Sequence, residues 1–311
     1  MVSAVETPTI VPPTGSQPVS RWRKFIGRKS TVGVLMCVPL LAVVIGLVAY
    51  PAAYSMFLAM LNKAETKFVG LDNFFFLFKR DTFWMVVRQS VIFALVAVLF
   101  KALIGLIAAH AINVIPAKGQ RKWRGMMLVP WVIPPALSTL GWWWLFEPTY
   151  SALNWLLAEI GVDAIPWLSD TFWARFSVIL VNVWVGAPFF LIMYLAALKS
   201  IPEELYEAAA IDGANGWQRL YHITLPMMRN IIAITVLFSI IVTFANFDIV
   251  RVLTQGGPRN STHLFATYAF RVGIESGDIP LGAAVSLFMF PVLAVLAFII
   301  LRNVRKRAME L

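Results

Sequence analysis

Residues 200–226 read SIPEELYEAAAIDGANGWQRLYHITLP. The reading of this stretch decides what kind of fold the chain has. It is the longest polar interruption on one side of an otherwise apolar chain. Ser200 with Glu203 three residues later has the pattern of a capping box, and Pro202 falls in the first turn, where its missing N–H costs least. Residues 201–211 are good helix formers, and Ala208, Ala209 and Ala210 leave one side low and smooth. Gly213 is placed to end that helix in a left-handed conformation. Asn215 and Gln218 then start a shorter helix, which Pro226 closes before a new apolar run. The expectation is two short capped helices at an angle, standing outside a membrane, in a shape made for docking.

The rest of the chain supplies the membrane. Of 311 residues, 59% are hydrophobic and 14% charged, with mean hydropathy +0.76. A soluble domain cannot hide that much apolar surface, so the class is an all-α polytopic membrane protein. The net charge of +10 would suggest nucleic acid in a soluble protein, but here it marks the basic loops that set membrane topology. The single cysteine, Cys37, lies in an apolar run, which excludes a disulfide framework and a thiolate metal site.

Six spans are expected, at about 32–58, 90–112, 126–146, 176–195, 231–250 and 281–301. Each is long enough to cross an apolar core of ~30 Å at ~1.5 Å per residue. The third contains Pro130, Pro134 and Pro135 and must be kinked or partly unwound. Residues 1–30 read as a disordered tail ending in a basic cluster, and 302–311 as a second basic tail. With both termini inside, sixteen Lys and Arg fall in the inner segments and nine in the outer ones, with Lys101 inside span two. That bias places residues 200–226, between spans four and five, on the cytoplasmic side.

The chain carries no G-x-x-x-x-G-K-[ST] loop, so it is not expected to bind ATP itself. No H-E-x-x-H, no G-x-S-x-G and no pair of carboxylates within a span points to an enzyme. A secondary transporter driven by an ion gradient is the alternative reading, and it needs ionisable groups near the midplane. The mid-span candidate is Lys101, read chiefly as structural because no partner acid is visible. Asn260, Ser261 and Thr262 match a glycosylation acceptor, which reads as chance and loop polarity.

Glu207-Ala208-Ala209, then Gly213, then Ile223-Thr224-Leu225-Pro226 resemble the EAA motif of the inner-membrane permease subunits of binding-protein-dependent ABC importers. Val69-Gly70-Leu71-Asp72-Asn73-Phe74 is similar to the entry to the family's second span. Leu253-Thr254-Gln255-Gly256-Gly257-Pro258 is similar to the outer-loop signature of its carbohydrate-uptake branch, the MalF/UgpA-like permeases. The resemblance covers about residues 31–301. It implies the six-span type I importer (MetI-like) fold in a bacterial cytoplasmic membrane, with both termini cytoplasmic. It also implies a second homologous permease subunit, two copies of an ABC ATPase subunit that hold ATP and Mg, and an extracytoplasmic solute-binding protein. The substrate would be a sugar or sugar-like solute. Glu203, Leu205, Glu207, Ala208, Ala209, Asp212, Gly213, Leu225 and Pro226 would form the coupling surface for the ATPase. This chain itself needs no cofactor on that reading.

The same resemblance, laid along the maltose-type permeases, implies a substrate path. It puts Trp131 and Pro135 in span three, Val185, Gly186 and Phe189 in span four, and Ser239, Val242, Thr243 and Asn246 in span five on that path. An aromatic face can stack on a sugar ring, and Ser, Thr and Asn match its hydroxyls. Ser239, Thr243 and Asn246 share one helix face at i, i+4, i+7. Trp131 stands where those permeases have Tyr, and Thr243 and Ala245 where they have Asn, so the solute is not narrowed to maltose.

Overall fold

A computed structural model describes residues 29–149 and 151–308, with side chains from 33 to 302 apart from position 150. The expected tails lie mostly outside these bounds. The chain divides into two compact units, Met1–Tyr54 and Ser55–Leu311. The first helix, α1, starts as Lys29–Val44, passes through a wide turn at Ile45–Ala49, and continues as Tyr50–Leu58, past the end of the first unit. Tyr50 and Tyr54, four residues apart on one face, stack with ring centroids 6.2 Å apart. The apolar stretch Gly33–Leu58 has 26 residues, enough to span a bilayer with tilt.

Among the described residues the regular structure of the second unit is helical, apart from a bridge between Leu61 and Phe68. Asn73 closes the entry loop: its side-chain amide donates to the carbonyls of Ala59 and Leu61, at 2.8 and 2.7 Å. Gly70 permits the turn with φ +61°. Short α2 (Asp72–Phe78) leads into α3 (Asp81–Asn113), whose buried residues recur every three or four positions from Phe83 through Val86, Ser90, Phe93, Ala97, Lys101, Gly105 and Ala109 to Ile112. That stripe packs on α7 (Thr171–Lys199) in the largest helix–helix interface of the molecule. Lipid gives little hydrophobic drive to such contacts, so close approach of small residues must supply it. Gly105 shows how close: a Cβ there would stand 2.4 Å from Phe190 Cβ.

The third span is broken in two. Ala117–Val132 (α4) and Pro135–Phe146 (α5) are separated by extended Ile133 and Pro134, because a residue before proline is pushed out of the helical region. Neither piece qualifies alone as a span, and among the described residues five continuous helices are long and apolar enough to cross. After α6 (Ala152–Glu159), α7 opens with Asp170 accepting from the backbone of Phe172 and Trp173. Then come α8 (Glu203–Ile211) and a long α9 (Gly216–Phe244). Two expectations fail here. The short helix opened by Asn215 is the first turn of α9 and runs on through a wide turn at Leu220–Thr224, so Pro226 closes nothing. A helix tolerates proline best near an N-terminus, and the wide turn at Leu220–Thr224 gives Pro226 such a place at the start of the regular helix that follows. Span five also stops early, at Phe244, and the chain restarts as α10 (Asp248–Leu253).

Beyond a tight loop, α11 (Phe265–Phe270) and a wide turn at Arg271–Glu275 lead to α12 (Ile279–Leu287) and α13 (Met289–Ala308). Gly282 and Gly273 let two backbones touch: a Cβ on Gly282 would fall 2.6 Å from Gly273 Cα.

Candidate functional site

The stretch after α7 builds a short helix held at both ends by local hydrogen bonds. Ser200 caps the end of α7, its hydroxyl donating to the Ala197 carbonyl at 2.7 Å, so it cannot serve as the expected N-cap of α8. Pro202 holds that position with no side-chain cap, and the capping box from Ser200 to Glu203 is absent. Glu203 and Glu204 still place negative charge in the first turn, where the helix dipole favours it. The far end is a Schellman closure: Ala214 N–H donates to Ala209 O at 2.8 Å, Gly213 N–H to Ala210 O at 3.1 Å, and Gly213 has φ +76°. Asn215 and Gln218 form the expected reciprocal capping box at the start of α9.

Two attachments tie α8 to the bundle. Buried Ile201 anchors its start, and Tyr206 Oη lies 2.9 Å from buried Thr224 Oγ1 on α9. Glu203, Leu205, Glu207, Ala208, Asp212, Gly213 and Pro226 are exposed, and Ala209 and Leu225 are half-buried. Three large exposed side chains were missed by the sequence reading. Ile211 is 87% exposed, and Trp217 and Tyr221 stack with centroids 6.3 Å apart on the neighbouring turn. Their signal was available: big apolar residues inside a polar stretch, with Trp217 and Tyr221 at helical spacing. Exposed large apolar side chains beside polar ones are a common feature of protein-docking surfaces.

The expected path residues separate into two groups. Trp131, Phe189 and Phe238 form an aromatic strip across α4, α7 and α9, with centroids 6.0 and 5.2 Å apart and both outer rings about half exposed. Phe238 was not anticipated; its partner on the same face, exposed Val242, was. Exposed Pro135 begins α5, where its carbonyl accepts from Thr139 Oγ1 at 2.6 Å. The polar group turns inward instead. Ser239 and Thr243 are buried, and Thr243 Oγ1 accepts from Lys101 Nζ at 3.0 Å. Gly186, beside half-buried Val185, makes room for that lysine, since a Cβ there would stand 2.5 Å from Lys101 Cε. Asn246 lies past the end of α9, with its carbonyl oxygen buried and without a hydrogen-bond partner. Ser239 and Thr243 thus pack between helices, as polar residues within spans commonly do.

At the other end of α7 the loop 254–263 folds into a closed knot. Gln255, Arg259 and Asn260 take positive φ, and the peptide before Pro258 is cis. Thr254 and Thr262 hydroxyls meet at 2.7 Å, and Thr262 Oγ1 also donates to Gly257 O. Buried His263 sits against Gly256, its Nδ1 3.1 Å from Thr267 Oγ1 and its Nε2 3.1 Å from Arg271 Nη1. Burial first, then the neighbouring Arg271, holds its pKa down to about 4, so the ring is neutral. Arg271 also donates to Asn260, and Arg251 pairs with Glu275. Arg251, Arg259, Arg271, Asn260, Gln255 and Glu275 surround an open polar cavity of about 450 Å³ with a cationic surplus.

Among the described residues no cluster of His, Cys, Asp and Glu could hold a metal ion. Comparison with known proteins agrees with the helical fold. The family described as "Binding-protein-dependent transport system inner membrane component" matches residues 101–310. The trehalose/maltose transport system permease MalF of Thermococcus litoralis is 33% identical over 85% of this chain and 90% of that protein. The sulfoquinovosyl glycerol transport system permease SmoG of Agrobacterium fabrum is 29% identical over 92% of this chain and 95% of that protein. In a crystal structure of a bacterial alginate ABC transporter with its pentasaccharide-bound periplasmic protein, one chain superposes with a TM-score of 0.77. It is 26% identical and covers 90% of this chain and 96% of its own.

Proposed function

This chain belongs to the family of binding-protein-dependent transport system inner membrane components, and from that premise we propose how it works as the permease subunit of a sugar importer. It is a transport subunit of an ABC importer, and ATP is hydrolysed on a separate ATPase subunit. The relatives named for trehalose, maltose and sulfoquinovosyl glycerol, and the alginate transporter, support a sugar or sugar-like solute. The family leaves the alternative of an ion-gradient-driven transporter without support.

The observation that carries the working model is the mounting of α8. It presents Glu207, Ala208 and the exposed apolar side chains Leu205 and Ile211 outward, yet it follows α7 directly through Ser200 and buried Ile201 and is hydrogen-bonded to α9 through Tyr206. On our reading this is the surface seated in a cleft of the ATPase. Two ATPase copies holding ATP and Mg would draw together the α8 of this chain and that of a second, homologous permease. Motion of α8 passes through Ser200 and Ile201 to α7, and through Tyr206 and Thr224 to α9. Those two helices carry Phe189 and Phe238, so the aromatic strip would move as the path switches sides, a rigid-body alternating-access change. The α8 end, with both termini, would face the cytoplasm. The cationic cavity at the opposite end would receive an acidic surface of the solute-binding protein.

The test is co-purification followed by transport. The chain, solubilised from membranes, should bring down an ABC ATPase and a second permease. Vesicles holding that complex should take up a sugar only with internal ATP and external binding protein. Uptake that survives removal of ATP, or a chain recovered without an ATPase, contradicts the proposal.

A further inference from the structure

At the end of the bundle away from α8, Trp84, Met85, Arg88, Gln89, Ile92 and Arg175 line a pocket of about 260 Å³ between α3 and α7. Two of its six residues are arginines and none is acidic. Arg175 Nε donates to the Ser261 carbonyl at 3.0 Å, which sets the direction of its guanidinium. Arg88 lies within electrostatic reach of it. Neither arginine is salt-bridged to a carboxylate among the described residues. Two like charges sharing one cavity repel, and an anion between them removes the repulsion.

The pocket continues along the bundle. Ile92 and Arg175 also border an apolar groove of about 430 Å³, carried on by Val96, Phe100 and Ile104 of α3 and by Phe176 and Leu180 of α7. From Ile92 to Ile104 the groove follows α3 for about 18 Å at ~1.5 Å per residue. One leaflet of a bilayer core of ~30 Å is about 15 Å deep. The chemistry is thus cationic at one end, apolar for the depth of one leaflet beyond it, and bordered at the cationic end by Trp84, a residue type suited to the interface.

We propose that α3 and α7 bind one anionic phospholipid, its phosphate held between Arg88 and Arg175 and one acyl chain lying in the groove. Planar guanidiniums suit phosphate oxygens. A free anion would satisfy the arginines and leave the groove empty. A helix of another protein would fill the groove but would have to bring a carboxylate to the arginines, at the cost of carrying that charge within a span. The lipid bridges the largest helix interface of the molecule, so it serves as a structural cofactor of the α3–α7 pair.

The experiment uses the assembled importer in nanodiscs of phosphatidylcholine with a minor share of phosphatidylglycerol, extracted gently and weighed by native mass spectrometry. The wild type should retain phosphatidylglycerol over phosphatidylcholine. The double variant Arg88→Gln/Arg175→Gln should retain about tenfold less, equivalent to ~1.4 kcal/mol, with an unchanged yield of complex. Val96→Phe, which fills the groove and leaves both arginines, should also lower retention, and that separates a lipid from a bare anion. Equal retention by wild type and double variant would overturn the proposal. So would displacement of the lipid by inorganic phosphate alone at millimolar concentration, or crosslinks placing α1 or the second permease in the groove.

Discussion

Gly256 and Gly213 both hold left-handed backbone, yet a side chain should cost far more at one than at the other. At Gly213 nothing lies within 4 Å of a built Cβ, so substitution there costs only the conformational preference, about 1 kcal/mol. At Gly256, with φ +86°, a Cβ would stand 2.1 Å from the His263 ring. Gly256→Ala should therefore cost about 3 kcal/mol or more, from backbone strain and overpacking together. A lowered unfolding temperature, with faster hydrogen exchange in 254–263, would register it. His263 makes the same loop sensitive to acid. Its folded pKa, about 4, lies below the ordinary 6.5, so the unfolded ring takes up a proton that the folded one refuses. The stabilisation is fully present above pH 6.5 and is lost as pH falls toward 4. Arg271 and Arg251 oppose the proton there, while Glu275 favours it. Exchange in the loop, corrected for its intrinsic pH dependence, should rise across that window in the wild type and stay flat in His263→Gln. A loop equally protected at pH 4 and pH 7 would contradict this reading.

Among the elements, hydropathy found the apolar middle of each span, because crossing a bilayer demands length and apolarity before anything else, but α3 starts at Asp81 rather than 90 and α9 at Gly216 rather than 231. It missed where helices start, stop and join. Ser200 has the residue type and spacing of an N-cap, but α7 runs on to Lys199 and takes its hydroxyl first. Pro226 reads as a stop, yet it follows a wide turn and sits at the start of regular helix. The polar trio Ser239, Thr243 and Asn246 was recognisable as one face, but the partner of Thr243 is Lys101, 142 positions earlier in the chain. Helical periodicity cannot distinguish a face turned to another helix from one turned to a path. Gly105 carries a prediction of this kind. Gly105→Ala puts a methyl 2.4 Å from Phe190 Cβ and 3.0 Å from backbone, so α3 must move off α7. A loss of about 1–3 kcal/mol is expected, seen as a lower unfolding temperature of the purified complex. Unchanged stability would mean that the interface is looser than this contact requires.

For the whole molecule, the lack of a phosphate-binding loop sends the search for an energy source outside the chain, and α8 is the place to look. Its Gly213 end and the Asn215 cap that follows were legible because local residues at fixed spacing set them, whereas the Ser200 cap was not. The path was less so, because sugar recognition needs only scattered aromatic and polar groups whose facing depends on packing. If α8 transmits force and the strip across α4, α7 and α9 meets solute, damage to the two should separate in one assay. Glu207→Lys reverses a charge on an exposed face, and Gly213→Asp adds a side chain where there is open space, so both variants should still fold and insert. In vesicles with ATPase, second permease and binding protein, each should abolish the sugar-stimulated hydrolysis of ATP. Phe238→Ala removes an exposed ring that lies tilted against Phe189 and leaves α8 untouched. It should keep stimulated hydrolysis and lower uptake several-fold, since stacked ring contacts are worth about 1 kcal/mol. Full stimulation in Glu207→Lys would remove α8 from the coupling role. Full uptake in Phe238→Ala would leave the strip as helix packing, with the sugar contacts carried elsewhere.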